Sequence, residues 1–431
     1  MRGLYSLAWV LAMPAVVVYL LLRSLRQPAY RRHWAQRFGL HPRRRSRAPL
    51  IWIHAVSVGE THAAQPLVRA LAARHPDAEF LLTHMTPTGR DTGRALFGDA
   101  VRQAYLPYDC ALAPGRFLRA WRPAVGILME TELWPNLMAA AQRERVPVAM
   151  VNARLSERSL RRGLRHRALV VPAGQRLSLV LAQSDDDARR LAELGRPADA
   201  VTGNLKFDIS PPPELIGRGR AWRGLLGARH VVLAASTREG EEALLLQAWA
   251  AQVPASEPAP LLVVVPRHPQ RFEEVAQMIE RSGLAMVRRA ALDAPGPDLQ
   301  RCRVLLGDTM GEMVAWYAMA DVAVIGGSLL PYGSQNLIEA CAAGCPVLLG
   351  PHTFNFAEAA QRAIEAGAAV RVTDAHEAVA RALTMVAAAD TLDAGQRAAV
   401  EFAARHRGAT ARTLLALAPM LDAALGARRP N

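Results

Sequence analysis

Three tetrads of the form Ser/Thr-x-x-Glu carry side chains able to do chemistry: Ser57-Val58-Gly59-Glu60, Ser236-Thr237-Arg238-Glu239 and Thr309-Met310-Gly311-Glu312. A glutamate held beside a reacting hydroxyl can take its proton. The same spacing is also the capping box, in which hydroxyl and carboxylate satisfy free amides at a helix start. Capping alone accounts for any one of the three. Their shared position at the ends of apolar runs adds the chemical reading, because helix N-termini also attract anions.

The stretch from Gly326 to Glu339 is richer still. Its glycines would let backbone amides approach a phosphate, and a helix expected to begin near Ser334 would aim its positive end at the same place. Asn336 and Glu339 stand three apart on one helical face, where a carboxylate could accept both hydroxyls of a ribose. A glycine-rich loop followed by an ordinary exposed glutamate is the plainer alternative. Lys206 is a different kind of signal: of 52 basic residues 51 are arginine, so the single lysine marks a place where a compact ammonium is needed, or is a chance survivor.

No metal site is expected. Asp185-Asp186-Asp187 follows Ser184 and reads as the acidic first turn of a helix. The four cysteines, Cys110, Cys302, Cys341 and Cys345, make no CxxC pair, and so few in 431 residues exclude a disulfide framework. The catalytic body is therefore expected to be cytosolic and free of zinc and cofactor.

These groups need positioning elements, and the apolar runs supply them. Leu50–Val56, Phe80–Thr83, Val101–Leu106, Val125–Met129, Val146–Val151 and Leu179–Ala182 alternate with helix-length stretches. After Pro211-Pro212-Pro213 the alternation restarts at Val231–Ala235, Leu261–Val265, Ala285–Val287, Val304–Leu306, Val322–Ile325, Val347–Leu349 and Ala369–Val372. This is the pattern of parallel sheets covered by helices, an α/β fold of two doubly wound, Rossmann-like domains facing a cleft. Residues 49–205 are read as the first domain, 206–225 as a linker and 226–431 as the second domain, with one continuous helical stretch from Asp393 to Leu425.

The net charge of +14 is unevenly placed. Residues 23–47 hold nine arginines and no acid, directly after an uncharged apolar run from Leu4 to Leu22. That run is about long enough to cross a bilayer. No A-x-A cleavage site precedes the arginines, so a membrane anchor over residues 1–25 is favoured over a signal peptide. Residues 26–48 then form a basic juxtamembrane segment against anionic lipids, with the body on the cytoplasmic side. Charge so concentrated excludes the spread basic face of a nucleic-acid binder.

The motifs His54–Glu60, Glu130-Thr131-Glu132-Leu133-Trp134-Pro135-Asn136, Gly203–Asp208, Val265-Pro266-Arg267-His268-Pro269, Asp308–Glu312 and Gly326–Glu339, in this order, resemble those of the 3-deoxy-D-manno-octulosonic acid (Kdo) transferases of lipopolysaccharide synthesis. The resemblance implies a GT-B fold and a membrane-anchored inner-membrane enzyme. It also implies inverting transfer of Kdo from CMP-Kdo to a lipid A precursor, without metal. It assigns Glu60 as general base, with Ser57, Gly59, Glu130 and Lys206 on the acceptor or Kdo side. Donor binding would fall to Ser236, Arg238, Pro266, Arg267, Met310, Gly311, Glu312, Gly327, Ser328, Asn336 and Glu339. Two positions depart from the family pattern: Arg238 and Gln335 stand where histidines are usual. The number of Kdo residues added, the acylation of the acceptor and the oligomeric state are not legible.

A GT-B enzyme using another nucleotide sugar is the alternative. A nucleotide-dependent oxidoreductase lacks its G-x-G-x-x-G after the first strand, where Ser57–Glu60 stands instead. A noncatalytic membrane scaffold would not collect polar residues at so many strand ends.

Overall fold

Strands buried on both faces need apolar residues at every position, and the first sheet is built from such runs. The computed structural model describes residues 1–208, 211–253, 259–293, 299 and 301–426. Its first sheet contains β1 (Leu50–His54), β2 (Glu79–His84), β3 (Arg102–Tyr105), β4 (Val125–Met129), β5 (Val148–Ala153), β6 (Leu179–Ala182) and β7 (Ala200–Val201). They lie in the order β3-β2-β1-β4-β5-β6-β7, all parallel. Strand β1 is buried throughout; Trp52 faces one core with Phe117 and Leu128, while Ile51 and Ile53 face another with Leu67 and Ile127. Only β7, two exposed residues without an apolar pattern, escapes the sequence expectation.

The second sheet contains β8 (Val231–Thr237), β9 (Leu261–Pro266), β10 (Met286–Arg288), β11 (Val304–Leu306), β12 (Val322–Ile325), β13 (Val347–Leu349) and β14 (Ala369–Arg371). Its order is β10-β11-β9-β8-β12-β13-β14, again parallel. Chain order reverses between β1 and β4 in one sheet and between β8 and β12 in the other. Loops leaving such neighbours turn to opposite faces, which opens a crevice at their carboxyl ends. Register shifts at Met150/Ala153 in β5 and Ala235/Thr237 in β8 re-aim the strands just there.

The two sheets centre two compact units, and their boundaries differ from the sequence reading. Residues from Gly408 onward belong with Met1–Asp208, not with the second unit. The expected continuous helix breaks at Arg407 and Gly408, the latter at φ +81°, into helices Ala389–His406 and Ala409–Gly426. Leu417, Leu421 and Leu425 of the final helix enter the same core as Ile51 and Leu67. An alanine-rich helix can pack on either sheet, so its pattern does not say which. Residues 427–431 of the expected second domain lie outside the described residues.

The expected linker 206–225 also divides. Lys206 sits in a short turn, Leu205–Phe207, of the first unit, residues 209–210 lie outside the described residues, and Pro213–Gly224 is a helix of the second. Gly219 lets that helix approach closely: a Cβ there would lie 2.2 Å from the Ala315 carbonyl oxygen, and Trp222 packs on Trp316 at 4.6 Å. The triple proline starts a helix rather than opening a tether, since proline is well suited to a helix's first turn.

The N-terminal helix runs Arg2–Arg26, apolar and long enough over Arg2–Leu25 to cross a membrane, with mean hydropathy 2.1. The basic segment after it is not wholly free for lipid. Arg37 is buried over the Tyr105 ring (4.0 Å) and donates to the Met85 carbonyl (3.0 Å). Arg44 pairs with Glu79 at 2.9 Å and donates to the Ala48 carbonyl at 2.6 Å. These two arginines fasten the segment to the first sheet.

The return of the last helix is secured by Asp208, whose carboxylate oxygens accept the Gly408 amide (2.8 Å) and the Thr410 amide (2.6 Å). This is the work of a helix N-cap done by a residue remote in sequence. Asp208→Ala is expected to remove about 1–2 kcal/mol of stability and to speed trypsin cleavage at Arg407. Chemical denaturation and timed proteolysis check it.

Candidate active site

In the first unit the polar residues gather at the β1/β4 crevice. The helix Val58–Arg74 starts with Ser57 as N-cap, whose hydroxyl accepts the Glu60 amide at 3.5 Å. The Glu60 carboxylate accepts the Val56 amide through Oε2 (2.9 Å) and the Ser57 hydroxyl through Oε1 (3.0 Å). The tetrad is a capping box with its carboxylate bond shifted one residue upstream. It is also chemically poised: burial, with the neighbouring charges of Glu130 and Glu132, pushes the Glu60 pKa up to about 7. Gly59 has open space where a Cβ would stand, so no contact demands glycine there.

Glu130 follows β4 with a left-handed backbone, φ +57°, rare for a residue with a side chain. Its carboxylate meets Lys206 Nζ at 2.6 Å. Asn152, also left-handed (φ +53°), accepts the Leu205 amide at 2.9 Å, and Asn204 accepts the Lys206 amide at 2.9 Å. Two buried amide side chains thus set the turn that delivers the lysine. Glu132 was missed by sequence reasoning. Burial raises its pKa, Trp134 Nε1 donates to it at 2.7 Å, and its place within the Glu130–Trp134 motif was the available signal.

In the second unit a cavity of about 250 Å³ opens at the β8/β12 crevice. Ser236, Pro266, Arg267, Met310, Gly311, Asn336 and Glu339 line it, as does Gln335. Val265 and Thr309, from the motifs already named, complete the wall with Met313 and Tyr317, which sequence reasoning did not select. Arg267 Nε donates to Gln335 Oε1 at 3.3 Å, and Asn336 donates to Glu339 at 3.1 Å. Burial raises the Glu339 pKa. Ser236 is left-handed, φ +54°, and the Gly326 backbone packs so tightly on it that a Cβ would lie 2.3 Å from the Ser236 carbonyl oxygen.

Four expected donor residues stand off the cavity. Glu312 caps no helix by its side chain: its carboxylate receives Arg289 (2.7 and 2.8 Å), Arg218 (2.9 Å) and the Thr309 hydroxyl, and the Arg289 hydrogen bonds hold its pKa down at about 2. Arg238 lies over the Tyr332 ring at 4.6 Å. Ser328 is fully buried and ties Gly350 to the Ile325 carbonyl. Gly327 gives its amide to the Glu241 carboxylate at 2.6 Å. The expected helix near Ser334 begins only at Ile338 and is five residues long, so its dipole is weak; Ser334 to Asn336 are loop.

The tetrad at Ser236 is no capping box either. The helix there is Glu241–Gln252, with Gly240 as N-cap, and Glu241 rather than Glu239 reaches back to the Arg238 amide (2.9 Å). Asp187 behaves as expected of a first-turn acid: its amide bonds Ser184, and its carboxylate accepts the Leu155 amide at 2.9 Å. Cys341 and Cys345 are buried.

Two doubly wound parallel sheets, each with its polar residues at a switch point, give the chain the GT-B fold. Solved structures of that shape include UDP-GlcNAc 2-epimerase from Neisseria meningitidis bound to UDP-GlcNAc (TM-score 0.53, 14% identity, covering 86% of this chain and all of that one). Anabaena Alr3699/HepE in complex with UDP is another (TM-score 0.50, 16% identity, 87% of this chain and all of that one). The family profile described as 3-Deoxy-D-manno-octulosonic-acid transferase (kdotransferase) matches residues 32–209. A 3-deoxy-D-manno-octulosonic acid transferase of Bordetella pertussis is 48% identical, covering 96% of this chain and 98% of that protein. Its counterpart in Haemophilus influenzae is 35% identical, covering 98% and 99%. The chain belongs to the Kdo transferase family.

The two glutamates make opposite stability predictions. Glu60, with its pKa raised from 4.5 to about 7, favours the fold while protonated; that contribution is complete below about 4.5 and lost as pH rises through about 7. Glu60→Gln is therefore expected to be more stable than the parent by about 1–3 kcal/mol above neutrality, with the gain vanishing in acid. Glu312, held at about 2, stabilises above its ordinary value and loses this as pH falls from about 4.5 toward 2. Glu312→Gln should be destabilised by about 3 kcal/mol near neutrality, since Arg218 loses its charged partner and Arg289 keeps only Asp293. Thermal unfolding of both variants across pH tests the pair.

Proposed function

We propose that this enzyme transfers Kdo, with inversion, from CMP-Kdo to a hydroxyl of a lipid A precursor in lipopolysaccharide synthesis. The carrying observation is the near full-length likeness to the Bordetella pertussis transferase, at 48% identity. That likeness disfavours the alternative of another nucleotide sugar. In this reading Glu60 accepts the acceptor hydroxyl proton as the oxygen attacks the anomeric carbon of Kdo. The bond from that carbon to the phosphate oxygen breaks, and CMP leaves with the electron pair.

A pKa of about 7 suits this work, because a base near the ambient pH is both ionised and basic enough to take the proton. Lys206 beside Glu130 offers an ammonium to the Kdo carboxylate or to the acceptor. CMP occupies the cavity of the second unit: Arg267 provides positive charge, while Asn336 and Glu339 offer partners for ribose hydroxyls. No cofactor or metal takes part in this scheme.

The enzyme works at the cytoplasmic face of the inner membrane, attached through the helix Arg2–Arg26 as a single-pass anchor. Those arginines of residues 23–47 not consumed inside the fold lie toward anionic lipid.

Mass spectrometry of a lipid A precursor incubated with enzyme and CMP-Kdo tests the function; a gain of one or more Kdo units is expected, and an unchanged acceptor would remove the reading. Glu60→Gln keeps an oxygen for the Val56 amide but loses the proton acceptor. Turnover should fall about 10²- to 10⁴-fold, while CMP affinity, read by calorimetry, stays near that of the parent. Lys206→Arg should lower the rate about tenfold or more; parental kinetics would make the single lysine incidental.

A further inference from the structure

Glu241 is fully buried, yet every hydrogen bond seen for its carboxylate comes from a main-chain amide. Oε2 accepts Arg238 N (2.9 Å) and Gly327 N (2.6 Å); Oε1 accepts Leu329 N (3.0 Å) and Leu330 N (3.3 Å). Three of these four amides belong to the glycine-rich loop after β12. Successive amides converging on one point make a nest suited to an anion. Here the anion is part of the protein.

The consequence reaches the cavity wall. The same loop holds Ser334 and Gln335 through the carbonyls of Gly327 (2.6 Å) and Gly326 (2.9 Å). Gly326 packs on Ser236, and the next residue of the helix, Glu242, accepts the Thr237 hydroxyl (2.8 Å) and Arg271 (2.7 Å). One helical turn therefore fastens the end of β8, which bears Ser236, and the segments after β9 and β12 that carry Arg267 and Gln335. Arg267, tethered through Nε to Gln335, is the cation on the cavity wall.

We propose that Glu241 is the resident anion of the glycine-rich loop, a positioning residue that holds the loop amides away from the cavity wall and shapes the nucleotide cavity, so that the donor phosphate is held by Arg267. This rests on the reading of that cavity as the CMP site. It also reverses the expectation that the glycine amides meet the phosphate directly.

The test uses the full-length protein in detergent with three variants and two probes, CMP and cytidine, whose affinity ratio reports the phosphate contact. Glu241→Ala should lower the thermal midpoint and weaken both probes about tenfold without changing their ratio. Formate at tens of millimolar, a carboxylate small enough for the vacated nest, should restore midpoint and affinity in the variant and leave the parent unchanged. Glu241→Gln, which sets amide hydrogens against the loop's own N–H groups, should show the same loss without formate rescue.

Arg267→Met should keep the parental midpoint and collapse the ratio toward unity. Tighter CMP binding in Glu241→Ala, no formate effect, or an unchanged ratio in Arg267→Met would each overturn the proposal. The Arg267→Met arm decides should the Glu241 variants fail to fold. A parent that binds neither probe would instead remove the CMP reading, while the formate response of the midpoint still decides whether Glu241 is the loop's anion.

Discussion

The strand-end loops of this protein are held by buried or half-buried carboxylates that accept main-chain N–H groups. Glu60 takes the Val56 amide, Asp109 those of Asn136 and Leu137, Asp187 that of Leu155, and Asp321 that of Val231; Glu241 takes four. A loop leaving a parallel strand cannot continue the sheet's ladder, so its amides need other partners. A carboxylate offers two oxygens and charge-assisted bonds, about twice as strong as neutral ones.

Against that common use, three glutamates close to helix starts acquire different characters. Glu312 is neutralised by Arg289 and Arg218 and stays ionised far into acid. Glu241 is satisfied by amides. Glu60 has one amide and one hydroxyl, is poorly solvated, and faces the negative charges of Glu130 and Glu132. It alone of the three combines an accessible proton-binding equilibrium with a place at the first unit's crevice. The left-handed backbones of Glu130, Asn152 and Ser236 fit the same picture: the first directly follows β4, and the other two sit at the register shifts near the carboxyl ends of β5 and β8, where side chains are aimed.

The division of labour between the units follows from where each cation stands. Lys206 is committed to Glu130 in the first unit, and Arg267 lines the cavity of the second. Lysine's compact head suits a close pair with one carboxylate, while arginine's planar fork suits a phosphate and can be steadied through Nε. Gln335, a departure from the family's usual histidine, does that steadying without a titrating group.

The order of apolar runs determined thirteen of the fourteen strands, the two-sheet architecture and the long N-terminal helix, because burial on both faces and helical length are written in local composition. Motif order likewise determined the family, and with it residues such as Arg267, Asn336 and Glu339 that line the cavity. Three further matters were decided by tertiary structure alone: which carboxylate lacks a cationic partner or a full set of amides, which unit receives the last helix, and whether the proline run tethers or packs. Glu241 meets Gly327 across 86 positions, and Asp208 meets Gly408 across 200. A tetrad records only that a carboxylate stands near a helix start. Whether it then finds an arginine, a row of amides or low-dielectric surroundings with fewer partners depends on chain brought there by the sheet, and that choice decides which way its pKa moves.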